Sequence, residues 1–225
     1  MPTALLLGAS RGIGRELAQQ LLQQGWRVIA TARTDEALAQ LRALGCEAHR
    51  LEVTDPASNS GLAWLLDGEK LDLAVYVAGV IDRANAPESP TQAVFDQVMH
   101  VNVLGAMQTL PQILPMVKAA NGVVACISSI MGSQQETTSP SAWLYRVSKA
   151  ALNMVLRCIQ AAEPELTAVA LHPGWVQTDM GGPQAPLTPT QSAHSLSQTL
   201  TRVCQHRRPE DRGAFLNHDG TPIAW

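Results

Sequence analysis

The chain has 225 residues, 46% of them hydrophobic and 16% charged, with a net charge of −3 and a pI near 6.0. That composition suits one domain of the larger kind with a sizeable core, and it argues against disorder. Slight acidity offers nothing to nucleic acid or an anionic membrane, and no apolar run reaches the roughly 18 residues of a membrane span.

The first apolar run, residues 4–7, has no basic flank, so it reads as a core strand rather than a secretory leader. It meets a glycine turn at Gly8, Gly12 and Gly14. Leu17, Leu21 and Leu22 then recur at helical spacing until Gly25. A strand, a glycine turn and a helix in this order make a phosphate cradle. Glycine allows tight turns and close approach to the backbone, and the helix N-terminus offers free N–H groups and partial positive charge. Glycine-rich turns also occur in ordinary strand-to-helix loops. The spacing here is G-x-x-x-G-x-G, not G-x-G-x-x-G, with Arg11 between the glycines.

A second strand is expected at 27–31, followed by a turn at Ala32-Arg33. Thr34 then caps a helix with Asp35 and Glu36 in its first turn. Leu38, Leu41 and Leu44 form its apolar stripe, and Gly45 ends it. A third strand covers 48–53, and Asp55-Pro56 starts a further helix. The fourth strand, 71–77, closes on Ala78-Gly79. Ser89 and Gln92 have capping-box spacing and open a long helix, whose far end Pro111 and Pro115 should kink or shorten. A fifth strand at 123–127 is followed by polar turn residues 128–141, then by a strong helix at 143–162. A sixth strand at 166–171 leads into a long Gly/Pro-rich loop, 172–189, of the kind that forms lids. Thr188-Pro189-Thr190-Gln191 opens a final helix to about residue 205, and 214–216 reads as a seventh strand. Strand–helix alternation predicts a doubly wound parallel α/β sheet of about seven strands with helices on both faces, in a single domain spanning 1–225. In such sheets ligands bind beyond the C-terminal strand ends. Gly8, Arg33, Gly79, Ser129 and Pro173 all fall there.

Of the four cysteines, Cys46, Cys126, Cys158 and Cys204, none makes a metal-type pair, and no metal is expected. Cys126 and Cys158 lie in apolar segments and read as buried, reduced thiols of a cytoplasmic protein. Trp26 and Trp64 read as packing residues, and His172 as a structural residue at a strand end.

Tyr145 and Lys149 sit four apart on one helix and so face the same way. An ammonium beside a phenol favours the phenolate and lowers its pKa, which suits a proton donor and acceptor near neutral pH. Ser129 ends the preceding strand and could bond the same oxygen, and Asn102 is a polar residue in an apolar setting. A Tyr four before a Lys is common by chance, so the combination carries the signal.

The sequence resembles the short-chain dehydrogenase/reductases. The carrying motifs are Tyr145-Arg146-Val147-Ser148-Lys149, Ser128-Ser129-Ile130-Met131-Gly132, the helix Asn102 and the His172-Pro173-Gly174 turn. The opening glycines match as well, with Leu7 where the family has Thr. The run His172 to Gly182 and the ending Asp219 to Trp225 look most like the C-factor/sniffer-type carbonyl reductases. The resemblance implies a Rossmann-like dinucleotide fold and roles for matching residues. Tyr145 would protonate the substrate carbonyl, and Lys149 would hold the nicotinamide ribose and keep the tyrosine pKa low. Ser129, rather than Ser128, would orient the carbonyl. Asn102 would bind a relay water through its backbone, although a buried amide satisfying backbone groups reads the same. Gly8, Ser10, Gly12, Ile13, Gly14, Ala78 and Gly79 would cradle the cofactor. Pro173, Gly174, Val176 and Thr178 would hold its nicotinamide.

An acidic residue ending the second strand would favour NAD. Ala32 stands there, and Arg11 and Arg33 could clamp a 2′-phosphate, which predicts NADP(H). Alternatively, both arginines are solvated surface charges. Glu52-Val53 occupies the adenine-side position where the family has Asp-Val. Tyr76-Val77 replaces two asparagines, which implies an altered, weaker pocket. Trp143, Trp175 and Met180 are candidates for the substrate mouth. The expected substrate is a small carbonyl or alcohol, and the helices 90–118 and 143–162 imply a homodimer. The alternative is a C-factor-like nucleotide-binding regulator with little turnover.

Overall fold

The computed structural model describes residues 1–225. All seven strands are parallel: β1 Thr3–Leu7, β2 Arg27–Ala32, β3 Glu47–Arg50, β4 Leu73–Tyr76, β5 Val123–Ile127, β6 Thr167–His172 and β7 Ala214–Asn217. Their spatial order is β3-β2-β1-β4-β5-β6-β7. The direction of winding reverses between β1 and β4, and a crevice opens where the strands on either side diverge.

The sheet is covered on both faces, and the residues of β1 show why. Ala4 and Leu6 join a core with Leu17 and Leu21 of α1 (Gly12–Gln23), Leu38 and Leu41 of α2 (Asp35–Ala43) and Leu196 and Leu200 of α8 (Pro189–Gln205). Leu5 and Leu7 face the other core. There they meet Leu110 and Ile113 of α6 (Gly105–Ala119) and Leu152 and Leu156 of α7 (Trp143–Ala162). Strands buried on both sides read as continuous apolar runs, as TALLL does. Two short helices, α3 (Pro56–Ser60) and α4 (Leu62–Leu65), link β3 to β4.

Several local expectations change. The long helix starts at α5 (Gln92–Met99), capped by Thr91 accepting from the Val94 N–H, and not at Ser89. The chain just before it is held elsewhere: the Trp143 N–H and indole N–H donate to Ala84 O and Glu88 O. Pro111 and Pro115 do not end α6, which runs through both. They lie on its exposed face four residues apart, so the carbonyls they leave unpaired face water. Trp64 is 89% exposed, because the single turn of α4 buries Leu62 and turns the indole outward. Cys158 is also exposed, on the side of α7 opposite Leu152 and Leu156.

Between α5 and α6 the rod passes through one π turn, His100–Leu104, in which the Gly105 N–H reaches back five residues to His100 O. The shifted pairing leaves Val101 O to accept from the Tyr76 hydroxyl at 2.6 Å. Tyr76 therefore acts not in the cofactor turn but as a fully buried prop under the π turn. A Cβ on Gly105 would lie 2.4 Å from that hydroxyl and 3.0 Å from Val53 Cβ. Gly105→Ala is expected to cost about 1–3 kcal/mol in urea unfolding; a change near zero would show that the turn adapts freely.

Candidate active site

A cleft of about 430 Å³ runs along the C-terminal strand ends. At its base Gly8 has φ +95°, and a Cβ there would sit 2.9 Å from the Ala78 backbone. The Gly8 N–H is tied to Thr31 Oγ1 at 3.0 Å, which pins the turn to β2. On Gly14 a Cβ would meet Ala9 Cα at 2.9 Å, so α1 can start this close to the strand only with glycine. Arg11 is the N-cap of α1 and offers no side-chain acceptor. The first N–H groups of a 12-residue helix are thus left for an anion. Ser10, Gly12 and Ile13 line the same wall, and Ala78 and Gly79 the opposite one. This cradle fits a dinucleotide pyrophosphate.

At the outer end β2 closes on Ala32, and Arg33, Glu52 and Val53 line the cleft. Arg33 Nη1 lies 3.3 Å from Glu52 Oε2, and Arg11 Nη1 lies 2.6 Å from Asp179 Oδ2. Both arginines and Asp179 are well exposed, so such pairs contribute at most about 1 kcal/mol. A phosphate dianion can displace them. Gln177 and Asp179, the chain neighbours of Thr178, also line the cleft, as does Met180, a candidate for the substrate mouth.

At the inner end Pro173 and Thr178 line the cleft, whereas Gly174 and Val176 stand behind it. Gly174 has φ +83°, and a Cβ there would lie 2.5 Å from Leu187. Val176 is buried and bridges to Leu187, closing the base of the loop. Arg83 donates to Met180 O at 2.6 Å, so this loop is held by arginines from two sides. Trp175 is half-exposed, with its indole N–H on Gly181 O. His172 ends β6 with Nδ1 unpartnered. Burial and nearby His218 push its pKa down to about 4, so it stays neutral.

Tyr145 and Lys149 face the cleft one turn apart on α7, both buried. Lys149 Nζ lies 5.6 Å from the tyrosine ring centroid and donates to Ile127 O at 2.8 Å. Gly79 leaves it room: a Cβ there would be 3.4 Å from Nζ. The expected lowering of the tyrosine pKa is not found. Burial pushes Tyr145 up to about 12, against a smaller downward pull from the Ser129 hydroxyl. Burial also pushes Lys149 down to about 8. Desolvation is the leading effect on both groups.

Ser129 lies two residues beyond β5, with its hydroxyl accepting from the Met131 N–H at 3.1 Å and lying beside Tyr145. The Ser128 hydroxyl is spent on Asn153 Oδ1 at 2.6 Å. Asn102 is fully buried in the π turn. Its Oδ1 accepts from the Val80 N–H, and its Nδ2 donates to Val80 O and Ser148 Oγ. It ties the loop after β4 to the helix carrying Tyr145.

The family model for short chain dehydrogenase matches residues 2–186. The chain belongs to that family. Among relatives, C-signal of Myxococcus xanthus is 37% identical over 158 residues, covering 69% of this chain and 93% of that protein. A short-chain dehydrogenase/reductase from Burkholderia multivorans, solved with bound NADP, is 31% identical with a TM-score of 0.88, covering 100% and 99% of the two chains. Carbonyl reductase Sniffer of Drosophila melanogaster is 28% identical with a TM-score of 0.88, covering both chains fully. This short-chain dehydrogenase is thus of the C-factor/sniffer-like type, and its seven-stranded doubly wound sheet is the family fold.

Proposed function

We propose that this protein is an NADP(H)-dependent carbonyl reductase acting on a small carbonyl substrate, with residues 1–225 as one domain and the loop 176–190 as its substrate lid. The observation that carries this reading is the shared cleft: Tyr145 and Lys149 open onto the same groove as the glycine turn of α1. When bound, the reduced cofactor supplies hydride. Tyr145, protonated at neutral pH with a pKa of about 12, gives its proton to the carbonyl oxygen. Ser129 orients that oxygen. Lys149 holds the ribose, and Asn102 fixes Val80 and α7 while its backbone supports a proton-relay water.

NADPH over NADH follows from Ala32 at the end of β2 and from Arg11 and Arg33 beside it. The NADP bound in the Burkholderia relative supports this choice. Fluorescence titration tests it. Arg33→Ala is expected to weaken NADPH binding about tenfold or more and to leave NADH unchanged. Equal loss for both cofactors would remove the phosphate clamp. No binding of either by the unaltered protein would bring forward the regulatory reading that the C-signal relative suggests.

Four free cysteines, with Cys46 and Cys126 buried, support a reducing, cytoplasmic setting. No helix is long and apolar enough to cross a membrane. Exposed Met107 on α6 and Val147 and Met154 on α7 support a homodimer through these helices. Light scattering returning the monomer mass at micromolar concentration would reject it.

A further inference from the structure

We propose that residues 223–225 form a strap that positions the catalytic serine loop, with Trp225 and Ser133 as positioning residues. This rests on the reductase reading of the site and adds to it a part of the chain that lies outside the cofactor cleft.

After β7 the chain turns through Gly220, φ +83°, and doubles back. Leu216 bridges Pro222 antiparallel, and the Ile223 N–H donates to Phe215 O at 2.8 Å. The returning segment then meets the loop that follows Ser129. The Ser133 hydroxyl, only 1% exposed, contacts Ala224 O at 2.6 Å and Trp225 O at 3.1 Å. The Gln134 N–H donates to Trp225 O at 2.7 Å. The indole is fixed in turn: its ring lies 5.2 Å from that of Phe215 and 5.7 Å from the Arg157 guanidinium carbon, and Arg157 is itself anchored on Gly213 O.

Only one tight turn separates this anchor from the chemistry. Ile130–Gly132 form a single 3-10 turn capped by Ser129 itself. A Cβ on Gly132 would lie 2.8 Å from the Lys149 backbone carbon, so the turn packs directly on the catalytic helix. Asn153 holds the loop from the helix side, accepting from Ser128 and donating to Gly132 O. The strap holds it from the opposite end, at Ser133 and Gln134. Without the strap, Ser129 keeps its bond to Met131 but loses its fixed distance to Tyr145, while the glycine turn and Arg33, which follow β1 and β2, are untouched.

The experiment compares Trp225→Ala, Trp225→Phe and Ser133→Ala with the unaltered protein by amide hydrogen exchange, NADPH titration and steady-state carbonyl reduction. Expected for Trp225→Ala and Ser133→Ala is exchange at Met131, Gly132 and Ser133 faster by about tenfold, with the amides of the Gly8–Gly14 turn unchanged. NADPH affinity stays within about twofold, and kcat falls about tenfold or more through misplacement of the serine. Trp225→Phe restores most of both effects. Unchanged exchange at 131–133 overturns the strap, as does an equal loss of protection at the glycine turn and of NADPH affinity, which would mark a general structural role. If the unaltered protein reduces no carbonyl, the reductase reading fails, and the exchange result still decides whether the strap holds the loop.

Discussion

Tyr145→Phe is expected to reduce carbonyl turnover by about 10²–10⁴-fold while the protein stays folded and binds NADPH within about twofold of normal. The substitution removes one hydroxyl from a buried position on α7 and leaves the ring beside Lys149 in place. Because burial holds that hydroxyl protonated up to about pH 12, its titration alone leaves the reduction rate level between pH 6 and pH 9. A loss smaller than tenfold would remove Tyr145 as the proton donor. Stopped-flow absorbance at the nicotinamide band measures both quantities.

Lys149→Met is expected to abolish reduction and at the same time to stabilise the fold at neutral pH. The ammonium is 3% exposed, and its hydrogen bond is to a single carbonyl, Ile127 O. Burial lowers its pKa from 10.5 to about 8, so holding the charge costs about 3 kcal/mol. Below pH 8 the lysine is charged folded and unfolded alike, and the cost is present in full. Between pH 8 and 10.5 the folded protein sheds the proton while the unfolded chain keeps it, so wild-type stability rises. Above that range the cost is gone. After the lost hydrogen bond, Lys149→Met should be about 1–2 kcal/mol more stable at pH 7. That advantage should shrink toward pH 10.5 in urea unfolding. The idea is falsified if the variant is less stable at pH 7 or the difference does not change with pH.

The fold was legible because its strands are covered on both faces. TALLL and VVACI are apolar throughout, and no register of a half-exposed sheet would suit them. Caps were readable only where no other contact competed. Thr188-Pro189-Thr190-Gln191 forms its capping box in full, whereas the near-identical Ser89-Pro90-Thr91-Gln92 does not, because Trp143 holds the chain just before it. Of the candidate site, Tyr145 and Lys149 of α7 and the glycines beyond the strand ends line one cleft. What spacing could not convey was the environment. A lysine four residues on is an opposite charge in sequence, but in the folded chain desolvation of the phenol is the larger effect. Nor could it show that Arg11 and Arg33 would each lie against a carboxylate from a distant element.

The π turn at His100–Leu104 works as a one-residue phase shifter. Each residue in an α-helix advances the facing direction by about 100°, so one extra residue per turn rotates everything beyond it relative to everything before. That offset lets one rod aim Asn102 at Val80 while α6 still delivers Leu110 and Ile113 to the core. Deleting any single residue between Met99 and Gly105 would let the rod relax into a regular helix. Either Asn102 or the core face of α6 would then swing away, with Tyr76 left holding a buried hydroxyl and no carbonyl to meet it. At this point the chain's length, more than the identity of any one residue, keeps the core and the catalytic cleft in phase.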